Sequence, residues 1–213
     1  MRGKIAVFIA HPYCSTDSAN GIIAALEPHY RFKLFGKHDL EDDFFDDVDI
    51  VAVGGGIGDA QTYKRLLGRH KKRLHQFMAD GGRYLGICMG AYWTAHHYLD
   101  ILQDVKAAQY ITRPDTCTRR PHAKAMPVTW EGESERMYFY DGCALHGDGE
   151  FDTVATYSNG DAMAGYQGRV GLIGCHPEST AHWYNKPAYM RSHWHRNRHH
   201  KLLQGFVDEL MER

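Results

Sequence analysis

Two short segments of this chain hold residues whose types and spacing can do chemistry: Gly86-Ile87-Cys88-Met89-Gly90 and, far downstream, His176-Pro177-Glu178. A thiol nucleophile needs a base to take its proton, and the base needs a partner to fix its tautomer. Cys88, His176 and Glu178 supply those three roles. The first segment follows an apolar run and precedes a helix-like stretch, the context of a nucleophile elbow with Cys in place of Ser. Glycines flank the Cys because a side chain there would strike the neighbouring strand or helix. A helix N-terminus below the sulfur offers N–H groups and a positive dipole end, which favour thiolate. His176 is expected to act as general base and later to protonate a departing amine. Glu178 is expected to orient the imidazole, because residues i and i+2 at an extended strand end point to the same side. Pro177 keeps that segment out of a helix. The plain alternatives are an inert buried thiol, a loop histidine and a solvent-facing acid.

A glycine run, Gly54-Gly55-Gly56, follows the apolar stretch Asp49–Val53. Backbone N–H groups of Gly55 or Gly56, with that of Met89 just after the nucleophile, are expected to form an oxyanion hole. The run lacks the Gly-Lys-Ser/Thr ending of a phosphate loop, so nucleotide binding is not expected there. Cys175 belongs to a strand pattern and should point away from His176; Cys14, Cys117 and Cys143 have no base nearby in sequence. His195 and His199 stand at the i, i+4 spacing of a metal site. No Cys or carboxylate follows that spacing, and Arg191, Arg196, Arg198 and Lys201 surround it. The stretch His193–His200 therefore reads as a solvated basic surface, with no metal and no cofactor expected.

These residues need a scaffold that brings distant segments together. Lys4–Ala10, Tyr30–Phe35, Asp49–Val53, Tyr84–Ile87 and Val170–Gly174 read as strands, most of them apolar enough to be buried on both faces. Ser18–Leu26, Thr62–Met78, Ala91–Leu99 and Leu202–Leu210 read as helices. Alternation of this kind predicts an α/β fold with a mostly parallel central sheet. Met126–Trp130, Arg136–Tyr140, Thr153–Tyr157 and Ala162–Tyr166 are short strand-like runs between turn residues, expected to form an antiparallel edge extension.

Composition narrows the function classes. With 213 residues, 43% hydrophobic and 24% charged, the chain fits one globular domain spanning 1–213. A formal net charge of −1 gives no electrostatic case for nucleic acid or membrane partners. No apolar run approaches the roughly 20 residues of a membrane span. Five scattered cysteines argue for reduced thiols and a cytoplasmic setting.

The elbow Tyr84-Leu85-Gly86-Ile87-Cys88-Met89-Gly90-Ala91-Tyr92 together with Gly174-Cys175-His176-Pro177-Glu178 resembles the class I glutamine amidotransferase-like superfamily. Within it, Gly54-Gly55-Gly56 followed by Asp59 and Tyr63, and the segment Thr153–Gly160, are similar to the family of the biotin-protein ligase N-terminal domain. The resemblance runs from Lys4 to about Ser179 and implies a flavodoxin-like three-layer sandwich with a Cys88–His176–Glu178 triad. It also implies that Asp59, Tyr63 and Tyr92 recognise substrate at the mouth of the site. Glutamine-hydrolysing members usually carry Gln four residues after the nucleophile; here that residue is Tyr92, whose phenol cannot reproduce an amide's paired donor and acceptor. No biotin ligase catalytic domain and no synthetase domain is expected on this chain. The expected activity is cysteine-dependent hydrolysis of a small-molecule or peptide-like amide, with any ammonia acceptor enzyme a separate chain. The alternative is a regulatory binding module on the same scaffold. A third possibility is another reaction, such as peptidase, isomerase or glyoxalase-like chemistry, since an elbow and triad do not choose the acyl group.

Overall fold

A computed structural model describes residues 2–41 and 43–213. In chain order the first elements are β1 (Lys4–Phe8), α1 (Thr16–Leu26), β2 (Arg31–Phe35), β3 (Ile50–Val53), α2 (Ala60–Leu66), α3 (Lys71–Ala79) and β4 (Arg83–Ile87). A single helical turn, α4 (Met89–Tyr92), follows, then β5 (Val105–Gln109), β6 (Lys124–Trp130), β7 (Glu133–Phe139) and β8 (Cys143–Gly147). The chain ends with β9 (Asp152–Tyr157), β10 (Ala162–Gln167), β11 (Val170–Ile173) and α5 (Arg198–Glu212).

One 11-stranded sheet runs β2-β1-β3-β4-β11-β10-β9-β6-β7, with β8 paired to β10 and β5 to β8. The pairs β2/β1, β1/β3, β3/β4 and β4/β11 are parallel; β11/β10 and every pair beyond it are antiparallel. The sheet is thus mixed, an α/β fold with an antiparallel wing larger than the sequence suggested. Strand alternation divides the core in two. Ile5, Val7, Ile50, Ala52 and Leu85 face α1 and α5, where they meet Ile22, Leu26, Phe206 and Leu210. Ala6, Phe8, Val51, Val53 and Tyr84 face the other layer, with Leu66, Leu74, Phe77 and Trp93. Helices on both faces explain why the parallel strands read as unbroken apolar runs.

Four elements differ from expectation. The helix expected over Thr62–Met78 is interrupted at Leu67, and a 3₁₀ turn spans Gly68–His70. Gly68 is a poor interior helix residue, and the His70 N–H closes an i→i−3 bond on the Leu67 carbonyl at 2.8 Å. The helix expected over Ala91–Leu99 stops after one turn. There the Thr94 hydroxyl donates to the Ala91 carbonyl at 2.6 Å, and Trp93 and Leu99 turn into the core, both fully buried. Strands β5 and β8 escaped notice because Val-Lys-Ala-Ala-Gln and Cys-Ala-Leu-His-Gly have little β-branched or aromatic content; their pairing is set by tertiary context.

Candidate active site

The four inner parallel strands end at one edge, and that edge collects the chemistry. Val53 is in register with Gly86, and Ile87 with Ile173, so the glycine run, Cys88 and the segment before His176 emerge side by side. The Cys88 N–H donates to the Ile173 carbonyl at 2.8 Å, and the Gly90 N–H to the Gly54 carbonyl at 3.1 Å. The expected elbow is present. Cys88 has φ 52° and ψ −103°, a conformation that non-glycine residues hold only when their surroundings impose it. Gly90 is required here: a Cβ at that position would lie 2.0 Å from the Val53 carbonyl oxygen.

His176 and Glu178 do not meet along an extended strand. β11 ends at Ile173, and the two come together across a turn closed by the Ser179 N–H on the His176 carbonyl at 3.2 Å, with Pro177 at its second position. The outcome is the expected pairing by a different route. His176 Nδ1 lies 2.8 Å from Glu178 Oε1, and both side chains are buried. The His176 ring packs against Trp183 and Tyr138, at centroid distances of 5.2 and 5.9 Å. Burial pulls the imidazole pKa down, but the Glu178 carboxylate and the Cys88 sulfur lift it to about 10, each by charge and by a hydrogen bond. With Nδ1 on Glu178, the remaining ring nitrogen is the one available to Cys88.

Sequence reasoning missed the support behind this pair. Ser18, fully buried on α1, donates its hydroxyl to Glu178 Oε1 at 2.7 Å and accepts the Gly55 N–H at 2.9 Å. A chain of contacts therefore links Gly55, Ser18, Glu178 and His176. Gly21 lets α1 come this close, since a Cβ there would lie 2.3 Å from the Glu178 carbonyl oxygen. The small residues at Ser18 and Gly21, three apart on one helix face, were the available signal. The same chain corrects the oxyanion expectation: the Gly55 N–H is committed to Ser18. The N–H groups of Gly56 and Met89 have no partner among the described residues, and both residues line the cleft in front of Cys88.

That cleft has a volume of about 440 Å³, and Asp59, Tyr92, Gln109, Tyr140 and Asp141 form much of its wall. Cys88 Sγ lies 3.6 Å from the Tyr140 carbonyl oxygen. Tyr92 is anchored by its hydroxyl, which donates to the Asp141 carbonyl at 3.0 Å, and burial pushes the phenol pKa far up. Asp59 caps α2, accepting the Thr62 N–H at 2.8 Å and the Thr62 hydroxyl at 2.9 Å, bonds that hold its carboxyl below the usual range. Tyr63 is not at the mouth. It is buried, packing edge-on to Trp93 and Tyr98 at 5.7 and 5.2 Å in the core, because α2 turns that face inward.

The other thiols stand apart. Cys175 is fully buried and faces the Tyr157 hydroxyl at 3.7 Å, away from His176. Burial raises the pKa of Cys14 to about 12 and pushes those of Cys143 and Cys175 up as well. Nor is the His-rich stretch a solvated surface. His195, His199 and His200 are buried, with the rings of His195 and His199 stacked at 4.1 Å. Nε2 of His195 and Nε2 of His200 each sit 3.1 Å from the Ser179 carbonyl oxygen, so this segment braces the residue next to Glu178. Burial and neighbouring positive charge lower the pKa of His195 and His199 to about 3. Glu135, also buried, accepts from His199 and pairs with Arg198. Among the described residues, no group of three or more His, Cys, Asp or Glu has the arrangement of a metal site, and no helix is long and apolar enough to cross a membrane.

Comparison with known proteins gives this site its context. The family described as "Biotin-protein ligase, N terminal" matches residues 12–104. A glutamine amidotransferase from Thermotoga maritima superposes with a TM-score of 0.70 at 12% identity, covering 100% of both chains. A second glutamine amidotransferase has a TM-score of 0.68 at 17% identity, covering 98% of this chain and 99% of that one. PurLQS from Thermotoga maritima gives 0.66 at 14% identity, with 99% of this chain and 100% of that chain covered. No curated protein sequence matches significantly. The chain thus has the glutamine amidotransferase-like fold, and its residues 12–104 are similar to the biotin-protein ligase N-terminal domain.

Proposed function

We propose that the protein is a cysteine-dependent amide hydrolase of the glutamine amidotransferase-like type. The observation that carries this reading is the buried His176 held at 2.8 Å by Glu178, its pKa lifted jointly by Glu178 and by a Cys88 poised on a strained elbow. In that arrangement His176 already holds the Cys88 proton as an imidazolium at neutral pH, and the thiolate attacks a carboxamide carbonyl. The N–H groups of Met89 and Gly56 receive the developing oxyanion. His176 then protonates the departing amine, and a water activated by the same imidazole releases the acyl group from Cys88. Ser18 holds the Glu178 carboxylate in place and so acts through it.

One observation favours a second reading. The Cys88 thiol faces the Tyr140 carbonyl at 3.6 Å, a contact that suits the neutral S–H form and hence a binding module that keeps the triad without turnover. Release of ammonia or amine from a panel of primary and secondary carboxamides, compared between the wild type and Cys88→Ala, separates the two. Cys88-dependent release supports the hydrolase. Absence of release across the panel, with Cys88 no more reactive than the exposed Cys117, would leave the binding module.

A further inference from the structure

The cleft at Cys88 is charged in one sense. Asp59 and Asp141 both line it, and among the described lining residues there is no Lys, Arg or His. The hydrogen bonds these two carboxylates accept come from neutral groups: the Thr62 N–H and hydroxyl for Asp59, and the Gln109 amide at 3.0 and 3.1 Å for Asp141. Neither charge is spent on a cation of the protein's own in these bonds. Tyr140, next to Asp141 and also lining the cleft, is 53% exposed, a large aromatic side chain left open where a core residue would be covered. Carboxylates held in place beside an open aromatic ring are the groups that receive an ammonium or guanidinium, through charge-assisted hydrogen bonds and the ring's negative face. Among the lining residues a ligand carboxylate would find two like charges and no counter-ion, and the His176 imidazolium is already paired with Glu178.

We propose that the site takes a cationic amide: a small-molecule or peptide-like carboxamide whose ammonium or guanidinium lies between Asp59 and Asp141, and which bears no free carboxylate beside it. This rests on the reading of Cys88 as the nucleophile and names its substrate class. Free glutamine, with its α-carboxylate, fits the cleft less well than the same amide with that carboxylate blocked. Clefts lined by one sign of charge raise the local concentration of the opposite ion by about 10-fold or more, so the charge of a Cys88-directed reagent reads the preference without any turnover.

The test uses two methanethiosulfonates of similar size, the cationic aminoethyl and the anionic sulfonatoethyl reagent, with neutral iodoacetamide as the third probe. Modification of Cys88 is followed by peptide mass spectrometry, and each rate is divided by that of a small neutral thiol. The aminoethyl reagent should be favoured over the sulfonatoethyl reagent by about tenfold or more at low salt, less at high salt. In the Asp59→Asn/Asp141→Asn double variant the preference should fall to within about twofold of the small thiol, by removal of both wall charges. Asn keeps the helix cap at 59 and tolerates the positive φ at 141, so a folded variant is expected, checked by its thermal melt. A normalised ratio near one, or a tenfold ratio that survives in the double variant, overturns the proposal. If Cys88 instead proves sluggish toward iodoacetamide while the charge preference holds, the nucleophile reading falls and the cationic preference stands.

Discussion

Replacing Glu178 by Gln keeps the shape of the side chain and removes its charge, so it isolates what that charge does to His176. A lift of the imidazole pKa from 6.5 to about 10 corresponds to something on the order of 5 kcal/mol in favour of the imidazolium, net of the burial that opposes it. Glu178 and Cys88 share the lift. Assigning Glu178 roughly half, on the order of 2 kcal/mol, its loss should lower the His176 inflection by roughly one to two pH units. The assay is an NMR titration of the imidazole ring protons. The chain has 15 histidines, so the His176 resonance is identified as the one missing from the His176→Asn spectrum. The wild type should keep His176 protonated through neutral pH, and Glu178→Gln should bring its titration toward neutrality. A wild-type inflection at or below the ordinary histidine value, or one that Glu178→Gln leaves in place, refutes the ion-pair reasoning.

Other consequences follow from the same contacts. Ser18→Ala strips one donor from Glu178 and leaves the Gly55 N–H without an acceptor; urea unfolding should show a loss of about 1–3 kcal/mol, together with a smaller fall of the His176 inflection than Glu178→Gln produces. Gly90→Ala puts a methyl group against the Val53 carbonyl and should destabilise by about 1–3 kcal/mol or prevent folding. Because the folded pKa of His176 is raised, its contribution to stability is present in full below its unfolded value and is lost as pH rises from 6.5 through about 10. Unfolding free energies across that window should fall less steeply in His176→Asn. His195 and His199 behave in the opposite sense: folded pKa values near 3 mean that the unfolded chain takes up their protons first. Stability should therefore decline as pH drops from 6.5 toward 3, by up to roughly 1.4 kcal/mol per pH unit for each histidine. The decline should be shallower in His199→Gln.

The elbow was legible in the sequence because it is local: a strand, a glycine-flanked Cys and a helical turn occupy adjacent residues, and each obeys its own rule. The parallel strands were legible because burial on both faces leaves uninterrupted apolar runs such as Ile5–Phe8. His176 and Glu178 were found for a partly mistaken reason, since a Pro177 turn, not strand geometry, joins them. What escaped is tertiary in origin. Ser18 looks like an ordinary small residue on α1, and only the fold brings it to Glu178. The resemblance put Tyr63 at the site mouth, and basic neighbours put the histidines at 195, 199 and 200 on the surface, yet packing encloses all four. The cleft wall at Tyr140 and Asp141 comes from the loop after β7, which carries no motif that spacing alone would single out.

The central claim, that Cys88 is an activated nucleophile, is tested most directly by its alkylation rate with iodoacetamide against pH, with Cys117 as the exposed internal reference. The account predicts that Cys88 reacts faster than Cys117 at neutral pH, as an activated thiol should, and that His176→Asn abolishes this advantage. A Cys88 profile that tracks Cys117, unchanged by His176→Asn, would contradict it.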